Sequence, residues 1–225
     1  MGAVAQVASG SWVLDAGTIW DPPGIPANGD LVTSSAAYSL IVDDNTNALG
    51  SFTRTGADAS LTINTGKTLN VDGNCSLSSA VIGPGTISCS GTLTLDAGCT
   101  AAGDPILLLD AADAQDFTDN RTVKSGFVVQ VNAAGSVTAT VATANKSFDN
   151  AAGSTYVDGG LAHSFAGDIL DAGTITSTAG GIWTQTAPGS LKGGTYAEFH
   201  NLAGVVTTLT SAALARKVNF DGRLV

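Results

Sequence analysis

A chain of 225 residues with 44% hydrophobic but only 12% charged residues and Gly at 28 positions can bury a substantial core, yet it lacks the residues that build exposed helices. Glu198 is the only Glu and Lys occurs five times, so the polar helix formers are nearly missing, while Asp, Ser, Thr and Gly favour strands and tight turns. A formal net charge of -10, a pI near 4.2 and the scatter of Lys67, Lys124, Lys146, Lys192 and Lys217 argue against nucleic-acid binding and against an anionic membrane surface, and the apolar run Ile106 to Leu109 is too short to span a bilayer.

Met1 to Ala8 carries no basic segment and too short an apolar run for a secretory signal, so a soluble protein assembled in a cytoplasm is expected unless a leader has been trimmed. The next stretch, from Ser9 through Trp12 and Trp20 to Asp43, reads as a capped start of a β-solenoid. Trp12 and Trp20 supply large apolar plates, Pro22, Pro23 and Pro26 oppose helix, and Gly29-Asp30 turns the chain into a first alternating strand. Trp12, Trp20, Pro26, Gly29 and Asp30 are therefore the expected cap residues.

From Ser60 to Thr100 short apolar pairs alternate with glycines, and Leu61, Leu69 and Leu77 step by eight, as do Ile63 and Val71. Eight residues fit a three-residue strand, a turn and a second strand facing the same interior. Such strands are too short for hairpins, but stacked as coils each pairs with the coil above and below. Leu-Asp-Ala-Gly occurs at Leu14 to Gly17, Leu95 to Gly98 and Leu170 to Gly173, read as one local solution used three times: a buried Leu, an Asp capping its own turn and a left-handed Gly. The predicted organisation is a cap and coils over 1–101, a joint or external loop over 102–126, and a second β-rich part over 127–225 that continues the solenoid or forms a docking region. The fold class is all-β, a parallel β-helix of right-handed sense with capped ends.

Candidate sites are sparse. Asp110, Asp113, Asp116 and Asp119 recur every third residue and are weak candidates for a calcium site, against a solvated acidic face. Glu198 and His200 would share one face of a strand, and His163 is the only other histidine; no nucleophile sits near either in sequence, so a structural pair is favoured. Asp43 and Asp44 are adjacent and would point to opposite faces, poor geometry for a glycosidic bond. Cys75, Cys89 and Cys99 lack a CxxC pairing and are expected as buried, reduced thiols. Thr-x-Thr steps at Thr53, Thr92, Thr138, Thr174 and Thr184 would also suit an ice-binding face, which a thermal-hysteresis assay tests. No cofactor, catalytic residue or enzymatic activity is expected.

The pattern Gly10-x-Trp12, Thr18-x-Trp20, Pro26-x-x-Gly29-Asp30-x-Val32 and Val42-Asp43 resembles the N-terminal signature of β-helix proteins among tailed-bacteriophage virion proteins and some bacterial surface proteins, departing from it at Asp21-Pro22-Pro23. The resemblance implies a structural virion protein assembled in the host cytoplasm, foremost a capsid decoration or cement protein and otherwise a tail appendage. Its partners would be the major capsid protein or tail proteins and its own copies, as a homotrimer, with no nucleic acid and no membrane. The alternatives are a bacterial-surface carbohydrate-binding or adhesin module, marked by exposed aromatics among Tyr38, Tyr156, Trp183 and Tyr196, and a polysaccharide lyase or glycoside hydrolase of β-helix form.

Overall fold

The structure is a computed structural model that describes residues 2–13, 15–35, 37–56, 59–123, 126–176, 181–192, 195–201, 206–209, 214–220 and 223–224, with the backbone alone at residue 16 and from 192 onward. It is nearly all-β, with parallel strands stacked as a β-solenoid of about 8 turns. The chain divides into two compact units, Met1–Leu108 with Asn120–Phe127, and Leu109–Asp119 with Val128–Val225.

In the first unit the strands Ala3–Gln6, Leu31–Ser35, Ser51–Thr55, Cys75–Leu77 and Leu93–Leu95 form one parallel face. Gly10–Ser11, Leu40–Val42, Leu61–Ile63, Ala80–Ile82 and Thr100–Ala102 form a second. A third pairs Thr68–Val71 with Thr86–Cys89. Leu61, Leu69 and Leu77 thus lie on three successive faces of the winding chain, and all three are buried. Strict alternation places Leu40, Val42, Leu61, Ile63, Leu69, Val71, Leu93 and Leu95 inside, each worth about 1.5–3 kcal/mol of burial, while Ser, Thr and Asn face out.

Coils of unequal length share one register because the corners absorb the difference. Asn74 and Thr92, 18 residues apart, join through the Asn74 Oδ1 acceptor and the Thr92 N–H, and Asn45 joins Thr68, 23 residues on, in the same way. Asn28 does so for Ala48. These short amides satisfy backbone donors that the turns would otherwise leave open. Glycines make the same corners passable: a Cβ on Gly73 would stand 1.9 Å from the Gly50 carbonyl oxygen, and one on Gly91 would stand 2.4 Å from the Gly73 carbonyl carbon.

Residues 102–126, expected as a joint or external loop, carry the strands Ile106–Leu109 and Gln115–Asp119, and the division between the two compact units runs through this segment. Leu107, Leu109, Ala111, Gln115, Phe117 and Asp119 all turn inward, so the period is that of strands. The second unit repeats the design. Gln115–Asp119, Ser136–Ala139, Thr155–Val157 and Thr174–Thr176 make one face. Val128–Val131, Ser147–Asn150, Ile169–Asp171, Gly189–Lys192, Val206–Leu209 and Arg223–Leu224 make another. The third comprises Ala144–Asn145, Ala162–Phe165, Ile182–Gln185, Thr195–Asn201 and Leu214–Phe220. From Thr195 on the described strands belong to the latter two faces.

At the cap, Trp12 and Trp20 are fully buried and meet edge to face with ring centroids 4.8 Å apart. A single helical turn, Ala16–Ile19, precedes the prolines and ends where Trp20 becomes extended. Trp20–Asp21 then runs antiparallel to Ala3–Gln6, the one antiparallel pairing among the described strands, and covers an edge that a further strand could otherwise extend. Pro26 is buried and Gly29 adopts φ 79°, a left-handed turn that glycine enters without a Cβ clash. Asp30 ties the turn together, its carboxylate accepting from the Gly2 and Ala27 N–H groups at 2.7 and 2.9 Å.

Candidate functional site

Several side chains capable of chemistry lie inside the coils. Arg54, entirely buried in the first unit, spends all its donors on neutral acceptors: Nε donates to Ser79 Oγ at 2.7 Å, Nη1 to Gln6 Oε1 at 3.2 Å and to Ser34 Oγ, and Nη2 to the carbonyls of Tyr38 at 2.7 Å and Ser60 at 3.1 Å. Burial lowers its pKa to about 10, so it remains a cation at neutral pH. It clasps three coils and both sides of one corner, with no donor left for a ligand. Nothing in the periodicity announced it, because position 54 belongs to an inward row that elsewhere holds Leu77 and Leu95.

Cys75, Cys89 and Cys99 are buried free thiols. The neighbouring Cys89 thiol and burial together push the Cys75 thiol well above its usual range, which makes it an unreactive proton-bearing group rather than a nucleophile.

The second unit holds a ring cluster of Phe148, Tyr156, His163, Phe165 and Trp183, with Phe148 to Tyr156 at 4.9 Å and Phe165 stacked on Trp183 at 5.5 Å. The ring nitrogens of Trp183 and His163 are tied off. Trp183 Nε1 donates to Asp158 Oδ2 at 3.2 Å, and Gly160 N–H donates to Asp158 Oδ1 at 2.9 Å. His163 Nδ1 accepts from the Thr143 N–H at 3.3 Å while Nε2 lies 3.1 Å from the Asp158 carbonyl, so the neutral ring donates through Nε2. His163 is therefore a core histidine held at both nitrogens.

The four aspartates do not converge. Asp119 faces the core and accepts from Thr143 Oγ1 at 2.5 Å, Asp113 and Asp116 are exposed, and Asp110 is half-buried. Three-residue spacing on an extended chain sends neighbours to opposite sides, which undoes the proposed calcium site. Among the described residues no group of three His, Cys, Asp or Glu could hold a metal ion. Asp43 accepts from the Val13 N–H, whereas Asp44 is exposed and pairs with Lys67 at 2.9 Å, whose ammonium holds the carboxyl below its usual range. Register places Glu198 beside Ile182 and His200 beside Thr184; their side chains lie outside the described residues. Tyr156 and Trp183 are buried and supply no exposed aromatic flank.

The Leu-Asp-Ala-Gly segments are corrected in detail. Leu95 is buried, but Leu170 is only half-buried, and Gly17 and Gly173 are not left-handed. Only Asp171 caps its own turn, accepting from Gly173 N–H at 3.1 Å; Asp96 instead takes the hydroxyls of Ser76 and Ser78, and Asp15 takes the Ser11 N–H. Gly173 is required because a Cβ would lie 2.4 Å from the Ser154 carbonyl oxygen.

What remains outward is regular. Thr33, Thr53, Ser76 and Thr94 stand in register on four successive coils of the first unit, and Ile41, Thr62, Ile82 and Ala102 form a second, more apolar row. Thr118 and Thr140 hydroxyls meet at 2.6 Å on the second unit. Adjacent strands bring such residues about 4.8 Å apart. No family model matches the chain, and neither a curated protein nor a solved structure matches it.

Proposed function

We propose that the chain is a non-enzymatic structural component of a tailed-phage virion, a capsid decoration or cement protein that binds capsid subunits and its own copies through rows of hydroxyl and small apolar side chains. The observation that supports this reading is the partition of the described residues: Arg54, Asp119, Asp158, His163 and the three thiols are consumed inside the coils, while two rows of Thr, Ser, Ile and Ala repeat from coil to coil on the outside of the first unit, beside scattered exposed aspartates. A backbone hydrogen-bonded coil to coil presents such rows in a fixed array, which suits recognition by shape.

The test is to mix purified protein with phage particles stripped of accessory proteins and to measure its mass alone by light scattering. Saturable binding to particles and a homotrimer in solution are expected. A monomer that ignores particles overturns the reading; binding on a glycan array would move it to an adhesin, and glycan cleavage to a lyase or hydrolase.

A further inference from the structure

Tyr156 has the aliphatic residues Val137 and Ile175 as its register partners on the coils either side. Its side chain is fully buried among Phe148, His163 and Trp183, and its hydroxyl has no hydrogen-bond partner. The nearby groups are not apolar. Asp158 is anchored in this cluster by Trp183 Nε1, and Asp119 by Thr143 Oγ1, which also accepts from Asn145 Nδ2 at 2.7 Å. Burial first, and then the charges of Asp158 and Asp119, push the phenol far above its usual range, so the hydroxyl keeps its proton and stands as a donor. Left bare, a buried donor destabilises the fold, and native interiors meet such a cost with a bound water when two to four polar partners surround it.

We propose that one enclosed water molecule occupies the interior of the second unit at the Tyr156 hydroxyl, accepting its hydrogen and donating its own two to the carboxylates of Asp158 and Asp119. The water completes a polar chain running from Asp119 through Tyr156 to Asp158 and Trp183, and it converts a buried phenol from a liability into a tie.

The sign of one substitution separates the two possibilities. Tyr156→Phe removes the oxygen and keeps the ring. If the hydroxyl holds a shared water, the variant of the full chain melts lower, by about 2–4 °C for each kcal/mol lost in a domain of this size. If the hydroxyl is bare, its removal leaves the melting temperature unchanged or raises it, and the proposal fails. A high-resolution crystal structure of the wild-type chain gives the second readout: solvent density within about 3 Å of Tyr156 Oη and of a carboxylate oxygen is expected, and a phenol bonded directly to a carboxylate, or no density, overturns the water.

Discussion

Arg54 illustrates how a single side chain can decide whether a corner forms. Its guanidinium supplies hydrogens to Ser79, Gln6, Ser34 and two backbone carbonyls inside the first unit, so replacing it with the apolar, similarly long methionine strands several buried acceptors at once. We expect Arg54→Met to cost about 3–5 kcal/mol in chemical denaturation, in the range for breaking a buried charged network. Asp30 gives a pH-dependent counterpart. Its carboxyl is held below its ordinary value of 3.8, chiefly by the Gly2 N–H and then by the Ala27 N–H. Because the folded value is the lower one, the contribution is present above pH 3.8 and is lost as the pH falls through the folded value. Wild type and Asp30→Asn, followed by the fluorescence of Trp12 and Trp20, are expected to differ at neutral pH and to converge in acid. Ala27 lies only three residues from Asp30, so Asp30 was readable as a turn residue, but Gly2 and most partners of Arg54 lie far off in sequence, and Arg54 was not readable at all.

Strands and corners differ in how plainly the chain writes them. Steps of eight from Leu61 to Leu77 reveal successive faces because inward apolar residues must recur wherever a short strand meets the core. The same logic exposes the cap, since two tryptophans and three prolines in one stretch have few other uses. What periodicity hides is register. Thr33, Thr53, Ser76 and Thr94 form one row although their spacings in the chain differ, because turns of different length intervene. In the acidic run near 110–119, Asp113 and Asp116 face solvent while Asp119 faces the core, so counting carboxylates alone suggested convergence that an extended backbone denies. Corners also carry the sharpest test of stacking. Gly73→Ala drives a methyl into the Gly50 carbonyl, a backbone atom that cannot swing aside, and is expected to cost about 1–3 kcal/mol or to prevent folding. Gly66→Ala, at φ 70° with open space around it, is the matched control and loses only the strain of a left-handed residue, about 1–2 kcal/mol. Thermal melts of the pair compare crowding with backbone strain directly.

At the scale of the whole molecule, no group of three His, Cys, Asp or Glu among the described residues could hold a metal ion. Melting temperature and solution mass are therefore expected to be the same with millimolar calcium and with chelator; a calcium-dependent rise would reinstate the aspartate run as a site. A second consequence concerns the thiols. Native protein is expected to leave Cys75, Cys89 and Cys99 unmodified by a soluble disulfide reagent, with three equivalents reacting once denaturant opens the first unit. Finally, the tolerance of one register for 18 and for 23 residues between joined positions bears on heredity as much as on mechanics. Codons added or removed at the bends change the ornament on the surface and leave the inward rows aligned, so a lineage of such chains can diversify what it touches by insertion and deletion at corners while inheriting the same interior.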